Sequence, residues 1–164
     1  MMRKTDLYKQ LVKEIKAFCE GNDNPISVLA NCASAMKETF PKEYFWVGFY
    51  IVDGSELFLG PFQGTPACTR IKYGKGVCGT AWKEMQSLVV PDVHMFKGHI
   101  ACSSLSESEI VVPIMSDGRM VGEIDIDSRE KNTFDDTDRE YLEQIASILS
   151  NTAKKLARLE AGEE

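Results

Sequence analysis

Cys102 lies in a serine-rich polar segment, residues 99–109, that follows neither a helical nor an alternating apolar pattern. A strongly apolar strand begins directly after this segment, at Ile110. Access and thiolate character set cysteine reactivity, and a loop at the edge of a sheet provides access. Glu109 ends the segment and adds an acid next to the predicted strand. The stretch predicts a nucleophilic cysteine, although an ordinary exposed thiol on a connecting loop has the same pattern.

Carboxylates alternate along the last predicted strand, residues 119–127. Glu123, Asp125 and Asp127 share one face of this strand, whereas the opposite face is apolar. A solvated face would explain the pattern. If the group were enclosed in a pocket, mutual repulsion would raise some of the carboxyl pKa values, which favours a proton donor or a cation site.

The chain contains five cysteines, an odd number, and no Cys-x-x-Cys pair. The absence of that pair excludes the thioredoxin-type redox motif and the commonest zinc knuckle. Cys32 falls on the apolar face of a predicted helix and Cys19 at the end of another, and both are interpreted as packing or incidental residues. In a reducing compartment permanent disulfides are disfavoured, but transient catalytic pairing is allowed.

Composition excludes several classes of protein. A net charge of −6 argues against nucleic acid or an anionic membrane as the main partner. No apolar run reaches the roughly 20 residues that span a bilayer, and the amino terminus lacks the apolar core of a signal peptide. The glycines of residues 74–79 do not form a phosphate-binding loop. We therefore expect one cytoplasmic domain covering residues 1–164.

Hydrophobic periodicity predicts an α+β fold. Helices are expected over residues 5–20 and from Pro25 to about Phe40, with Asn24 as the N-cap of the second helix. Asp53-Gly54 and Asp117-Gly118 predict two hairpins, so the sheet is antiparallel. The remaining predicted elements are strands at 44–52, 56–62, 69–71, 87–91, 110–115 and 119–127, a short helix at 77–85 and one long helix from Phe134, capped by Asp135.

The order of these elements places the terminal helices on one face of the sheet and a loop-built pocket on the other. Alternation along the first strand puts Trp46 and Tyr50 on one face and Phe45 and Phe49 on the opposite face. Burial in a core would explain either aromatic row. One row can instead line the pocket together with the acids of the last strand and Cys102.

Six segments together resemble the free methionine-(R)-sulfoxide reductases, which are stand-alone GAF-domain enzymes. The resemblance covers roughly residues 25–150, and the three cysteines of the central region are its specific part. The segments are Phe45-Trp46-Val47-Gly48-Phe49-Tyr50, Gly74-Lys75-Gly76-Val77-Cys78-Gly79, Asp92-Val93-His94, His99-Ile100-Ala101-Cys102, Ser108-Glu109-Ile110-Val111-Val112-Pro113 and Gly122-Glu123-Ile124-Asp125-Ile126-Asp127-Ser128.

This resemblance implies a role for each cysteine. Cys102 matches the nucleophile, Cys68 the cysteine that forms a disulfide with it, and Cys78 an auxiliary or alternative resolving cysteine. It further implies thioredoxin as the external reductant, no metal or organic cofactor, and free methionine-(R)-sulfoxide as the substrate.

The resemblance also implies the substrate-binding residues. Trp46 and Tyr50 match pocket aromatics around the methyl and sulfoxide end of the substrate. Glu109, Asp125 and Asp127 match acids that hold the substrate ammonium and assist proton transfer, and the sequence leaves open which of them donates the proton.

Two other functions fit parts of the sequence. A GAF-type sensor would bind a small ligand without turnover and would have no need of the three cysteines. A metal protein would use His94, His99 and Cys102, but their spacing is not a common zinc pattern. The charged faces of the terminal helices are compatible with a homodimer.

Overall fold

The computed structural model describes residues 2–22, 24–100 and 102–160. Six antiparallel strands form one sheet in the order β3-β2-β1-β6-β5-β4. The strands are β1 (Trp46–Asp53), β2 (Glu56–Gln63), β3 (Arg70–Lys72), β4 (Leu88–Val90), β5 (Ser108–Ser116) and β6 (Arg119–Ser128). The helices are α1 (Lys4–Cys19), α2 (Pro25–Thr39), α3 (Gly76–Glu84), α4 (Asp136–Ile148) and α5 (Ser150–Leu156).

Both predicted hairpins are present. β1 and β2 turn at Gly54, which has a φ of 62°. β5 and β6 turn at Asp117 and Gly118, which have φ values of 52° and 77°. Two consecutive residues with positive φ give the turn the twist that antiparallel strands require. The second hairpin places the acids of β6 opposite β5.

The helices of both chain ends cover one face of the sheet, as predicted. α2, α4 and α5 pack on the strands, and α1 packs on α2 and α4. This core contains the inward side chains of β1, among them Val47, Phe49 and Ile51, all fully buried. Cys32 is also fully buried there, in agreement with its interpretation as a packing residue.

A second, smaller core lies on the opposite face. α3 packs against β3, β5 and β6, and the segments before and after it complete the cover. Trp46 and Tyr50 belong to this second core, together with Cys78. The two aromatic rows of β1 therefore separate as the alternation predicts, and the row with Trp46 faces the loops.

The last helix differs from the prediction. Instead of one long helix, α4 ends at Ile148 and α5 begins at Ser150, with Leu149 between them at φ −89° and ψ 5°. Asp135 caps α4 as predicted, and its side chain accepts hydrogen bonds from the backbone of Thr137 and Asp138. Leu149 and Ala153 both lie in the helix-side core, where each is fully buried. No helix among the described residues is both long and apolar enough to cross a membrane.

Candidate functional site

A small cavity lies on the loop-covered face of the sheet. It measures about 40 Å³ and is bounded by β1, the loop after β2, the first turn of α3, the loop before β5, and the strands β5 and β6. Each site residue predicted from the sequence contributes to its lining, except that Cys68 lies beside the lining residue Ala67. The structure thus brings together residues that lie far apart in the sequence.

The aromatic wall comes from β1 and also holds a loop. Trp46 and Tyr50 are almost fully buried, with ring centroids 6.2 Å apart. The indole Nε1 of Trp46 donates a hydrogen bond of 2.9 Å to the backbone carbonyl of Thr65. The hydroxyl of Tyr50 donates one of 2.8 Å to the backbone carbonyl of Cys68. Both aromatic residues therefore fix the loop between β2 and β3, a role that strand periodicity does not indicate.

A disulfide bond joins Cys68 to Cys102, with the two Cα atoms 5.5 Å apart. This is the pairing that the family resemblance implies. Both cysteines lie in loops and are partly exposed, so the bond is accessible at the mouth of the cavity. Ala101, the neighbour of Cys102, lies outside the described residues. Cys19, Cys32 and Cys78 are free thiols.

Cys78 lies in the first turn of α3, where it is 4% exposed. Gly79 sets the position of this turn, because a Cβ atom at residue 79 would lie 2.5 Å from the carbonyl oxygen of Lys72. The pKa of the Cys78 thiol is raised well above its usual range, first by burial and then by the charges of Asp125 and Glu123. Cys78 is therefore a protonated thiol in this environment, in contrast to a reactive thiolate.

Strand register assembles the acids. β6 pairs with β5 on one side, where Asp127 lies opposite Glu109. β6 pairs with β1 on its other side, where Asp127 lies opposite Trp46 and Glu123 lies opposite Tyr50. Glu109 and Asp125 line the cavity at 6% and 5% exposure. Glu123 is fully buried on the same face of β6. Asp127, on the same face, is half-buried. Glu123 and Asp125 are therefore enclosed, and solvation does not explain this acidic face.

Burial changes the protonation of these acids. It is the first cause that raises the pKa of Glu109 well above its usual range, followed by the charges of Asp125 and Asp127. Burial likewise raises the pKa of Asp127 and Glu123, with the charge of Asp125 as the second cause for each. The pKa of Asp125 is also raised by burial, although hydrogen bonds to Glu109 and Cys78 oppose that shift. A carboxyl group that keeps its proton near neutral pH can act as a general acid.

The two histidines occupy different environments. His94 is exposed and its Nε2 lies 2.7 Å from Oε2 of Glu107, whereas His99 lines the cavity and its Nε2 lies 3.9 Å from Oε1 of Glu109. The pKa of His99 is lowered, first by burial and then by His94. Within the described part of the chain, His94, His99 and Cys102 do not meet as a group of potential metal ligands. The ligand set of the metal-protein hypothesis is therefore not assembled.

Glu123 is the site feature that the sequence analysis noted without assigning a role. Neither of its carboxylate oxygens has a hydrogen-bond partner, and Oδ1 of Asp125 also lacks one. The alternation along β6 indicated the shared face of these residues, but only the packing of α3 over that face shows that the carboxyl groups are enclosed.

Comparisons with known proteins agree with this geometry. A GAF-domain family profile matches residues 23–152. GAF domain-containing protein A of Dictyostelium discoideum is 52% identical over 149 residues, which cover 90% of this chain and 93% of that protein. Free methionine-R-sulfoxide reductase of Saccharomyces cerevisiae is 40% identical over 158 residues, which cover 92% of this chain and 88% of that protein.

The same similarity holds in three dimensions. The X-ray structure of free methionine-R-sulfoxide reductase from Neisseria meningitidis, determined in complex with its substrate, superposes with a TM-score of 0.90. The two sequences are 46% identical, and the superposition covers 95% of each chain.

Proposed function

Because this chain belongs to the GAF-domain family of free methionine-(R)-sulfoxide reductases, we propose that it reduces free L-methionine-(R)-sulfoxide to methionine. The observation that carries the proposal is the disulfide between Cys68 and Cys102 beside a cavity that encloses carboxyl groups. A disulfide at this position is the product expected after one cycle of thiol-dependent reduction. A ligand sensor without turnover has no use for it.

In the proposed reaction the thiolate of Cys102 attacks the sulfoxide sulfur while a carboxylic acid protonates the sulfoxide oxygen. The bond between the substrate sulfur and its oxygen then breaks, and the oxygen passes to the sulfur of Cys102 as a sulfenic acid. The bond between the two sulfur atoms breaks as well, and methionine leaves, its sulfur having gained two electrons. The thiolate of Cys68 then attacks the sulfur of Cys102, which forms the disulfide and releases the oxygen as water. The raised pKa of Glu109 supports this residue as the proton donor.

The substrate is proposed to bind with its ammonium group at Asp125 and Asp127, beside the protonated Glu109, because a cation compensates the cost of burying ionised carboxylates. Trp46 and Tyr50 would contact the methyl and sulfoxide end, where an aromatic face packs well against a methyl group and sulfur. A free amino acid supplies the ammonium group that a residue inside a peptide lacks, so this arrangement selects against peptide-bound methionine sulfoxide.

An external dithiol must reopen the disulfide before the next cycle, and we propose thioredoxin for that step. The partial exposure of Cys68 and Cys102 supports direct thiol exchange. The proposed reaction needs no resident metal or organic cofactor. It fits a reducing compartment such as the cytoplasm, and a homodimer stays a prediction.

A thioredoxin-coupled assay of NADPH consumption tests the proposal. The substrates to compare are free methionine-(R)-sulfoxide, its S epimer and a peptide-bound sulfoxide. We expect turnover of the first alone. Equal turnover of the peptide would contradict the enclosed ammonium site, and binding without turnover of any sulfoxide would establish a sensor instead.

Cysteine variants test the assigned roles. Cys102→Ser should abolish methionine formation even in the first turnover. Cys68→Ser should release about one methionine per protein and then stop, because the sulfenic acid has lost its partner. Cys19→Ser is the matched control, since Cys19 packs against the helix-side core, and it should keep multiple turnover. Full multiple turnover by Cys102→Ser would overturn the assignment of the nucleophile.

A further inference from the structure

Cys78 takes no part in the disulfide, yet it lies at the centre of the enclosed acids. Its sulfur and carboxylate oxygens of Glu109 and Asp125 all lie within 4.8 Å of one another, and all three residues are buried. His99 and the exposed Lys75 are basic side chains that line the same cavity, and the lowered pKa of His99 favours its neutral imidazole. The cluster therefore holds several acidic groups with little compensating positive charge.

Glu123, on the same face of β6 as Asp125, provides an independent observation. Its side chain is fully buried, and both carboxylate oxygens lack a hydrogen-bond partner. Its charge raises the pKa of the Cys78 thiol, whereas the nearby thiol lowers the pKa of Glu123. Buried polar atoms are normally satisfied, and an unpaired buried carboxyl group costs free energy. Cys78, Glu109 and Asp125 thus lie close together beside Glu123, and three buried carboxylate oxygens of Glu123 and Asp125 have no hydrogen-bond partner.

Thiolate and carboxylate ligands together select a particular class of cation. Mg²⁺ and Ca²⁺ prefer oxygen ligands alone, whereas Zn²⁺ and Co²⁺ accept sulfur and carboxylate oxygen in tetrahedral sites. Two ligand atoms on one Zn²⁺ lie roughly 3 to 4.5 Å apart, given bonds of about 2.3 Å to sulfur and 2.0 to 2.2 Å to oxygen. The upper bound of 4.8 Å on the observed separations lies close to that range.

We propose that Cys78, Glu109 and Asp125, with Glu123 beside them, bind one thiophilic divalent cation of the Zn²⁺ class. On binding, Cys78 loses its thiol proton and each ligating carboxyl group loses any proton it carries, without a change of oxidation state. The cation occupies two carboxyl groups that the proposed function assigns to the substrate, Asp125 at its ammonium group and Glu109 as the proton donor. The bound cation is therefore an inhibitor that competes with the substrate. This inhibition rests on the proposed function, whereas the binding of the cation does not.

The disulfide form of the protein isolates Cys78 for the test. With Cys68 and Cys102 joined, the free thiols are Cys19, Cys32 and Cys78, and Cys32 is fully buried in the helix-side core. Titration with Co²⁺ should produce a sulfur-to-cobalt charge-transfer band in the near ultraviolet. Cys78→Ser should abolish the band, and the matched control Cys19→Ser should retain it. A band that survives in Cys78→Ser, or no band at all, would overturn the proposal.

Two further variants test the part of Glu123 in metal binding and the possibility that the metal binds at the surface instead. Glu123→Gln should weaken Co²⁺ binding by about tenfold, the usual effect of changing a group next to a metal site. Asp92, His94 and Glu107 form a second group of potential ligands at the surface, without sulfur. His94→Ala should leave the charge-transfer band unchanged. An unchanged affinity in Glu123→Gln would contradict the part assigned to Glu123.

An assay of reductase activity tests the proposed inhibition separately from metal binding. In the reduced enzyme, Zn²⁺ should raise the apparent KM for methionine-(R)-sulfoxide and leave kcat unchanged. Inhibition that substrate does not relieve would contradict the shared carboxyl groups. The Co²⁺ band is measured without turnover of any substrate. A failure of the metal proposal can therefore be distinguished from a failure of the reductase proposal.

Discussion

The hydroxyl group of Tyr50 donates a hydrogen bond of 2.8 Å to the backbone carbonyl of Cys68, so the wall of the cavity is joined to one half of the disulfide. Trp46 makes an equivalent hydrogen bond to the carbonyl of Thr65, in the same loop. β1 therefore positions the cysteine that is proposed to resolve the sulfenic acid, in addition to shaping the cavity.

Tyr50→Phe removes this hydrogen bond and keeps the aromatic ring. A hydrogen bond contributes about 1 kcal/mol net, which corresponds to roughly a fivefold change in rate. We expect the formation of the Cys68–Cys102 disulfide after one turnover to slow by about fivefold. Rapid quenching with an alkylating reagent, followed by mass spectrometry, measures the rate of thiol loss.

Tyr73→Phe is the matched control for that variant. Tyr73 is exposed, and its ring packs edge-on against Trp82, outside the cavity. Its disulfide should form at the wild-type rate. Equal slowing in both variants, or no slowing in Tyr50→Phe, would show that the hydrogen bond to Cys68 does not position the loop.

The protonation of Glu109 predicts how the rate depends on pH. Burial raises its pKa well above the usual range, so the carboxyl group keeps its proton at higher pH than an exposed glutamate. A general acid acts only when protonated, so methionine formation should slow as pH rises through that raised pKa. Single-turnover rates, measured across pH in the wild type, give the profile.

Glu109→Gln tests whether the profile belongs to Glu109. General acid catalysis contributes about 100- to 10,000-fold, so we expect a loss within that range. The fall in rate at alkaline pH should also disappear. Glu107→Gln is the control, since Glu107 pairs with His94 at the surface. A Glu109→Gln variant with the wild-type pH profile would assign proton transfer to another acid.

The sequence predicts the elements well because local patterns determine them. Alternation along β1 separates Trp46 from Phe49, and the positive φ values at Asp117 and Gly118 follow from the hairpin turn that their residue types favour. The single long final helix is wrong because no local signal marks Leu149. Both parts of the interrupted segment pack on the sheet.

The sequence predicts which residues belong to the candidate site, but it does not predict that their carboxyl groups are buried. Residue types and the family resemblance identify Cys102, Cys68 and Glu109. Whether an acidic strand face is solvated depends on what packs over it, and α3 lies far from β6 in the sequence. The unpartnered carboxyl group of Glu123 and the hydrogen bond from Tyr50 to Cys68 are long-range consequences of that packing.

Glu123 also predicts how stability depends on pH. Burial raises its folded-state pKa above the unfolded value, so the native state binds more protons between the two values. Its contribution to stability is complete below the unfolded pKa and is lost as pH rises through the folded pKa. For one carboxyl group, the free energy of unfolding should fall by about 1.4 kcal/mol per pH unit within that window.

Glu123→Gln removes this ionisation at nearly constant volume. Urea unfolding at several pH values should show a shallower fall in the free energy of unfolding than in the wild type. Glu130→Gln, at an exposed position, should keep the wild-type slope. The comparison of slopes is informative even if the buried amide lowers stability at every pH. Parallel curves for Glu123→Gln and the wild type would contradict a raised pKa at Glu123.

The size of the cavity predicts that ligand binding depends on the redox state. With the disulfide closed, the cavity measures about 40 Å³, whereas an engineered apolar cavity that binds benzene measures about 150 Å³. Methionine is larger than benzene, so the loop that carries Cys102 must move before methionine or its sulfoxide can bind. Reduction frees that loop from Cys68.

We therefore expect the reduced protein to bind methionine at least about tenfold more tightly than the disulfide form, a difference of about 1.4 kcal/mol. Isothermal titration calorimetry of both forms measures it. Cys68→Ser is the control, because it cannot form this disulfide and should bind methionine under oxidising conditions as well as the reduced wild type does. Equal affinity of the two wild-type forms would mean that the cavity opens without breaking the bond, and the disulfide would then not control access to the acids.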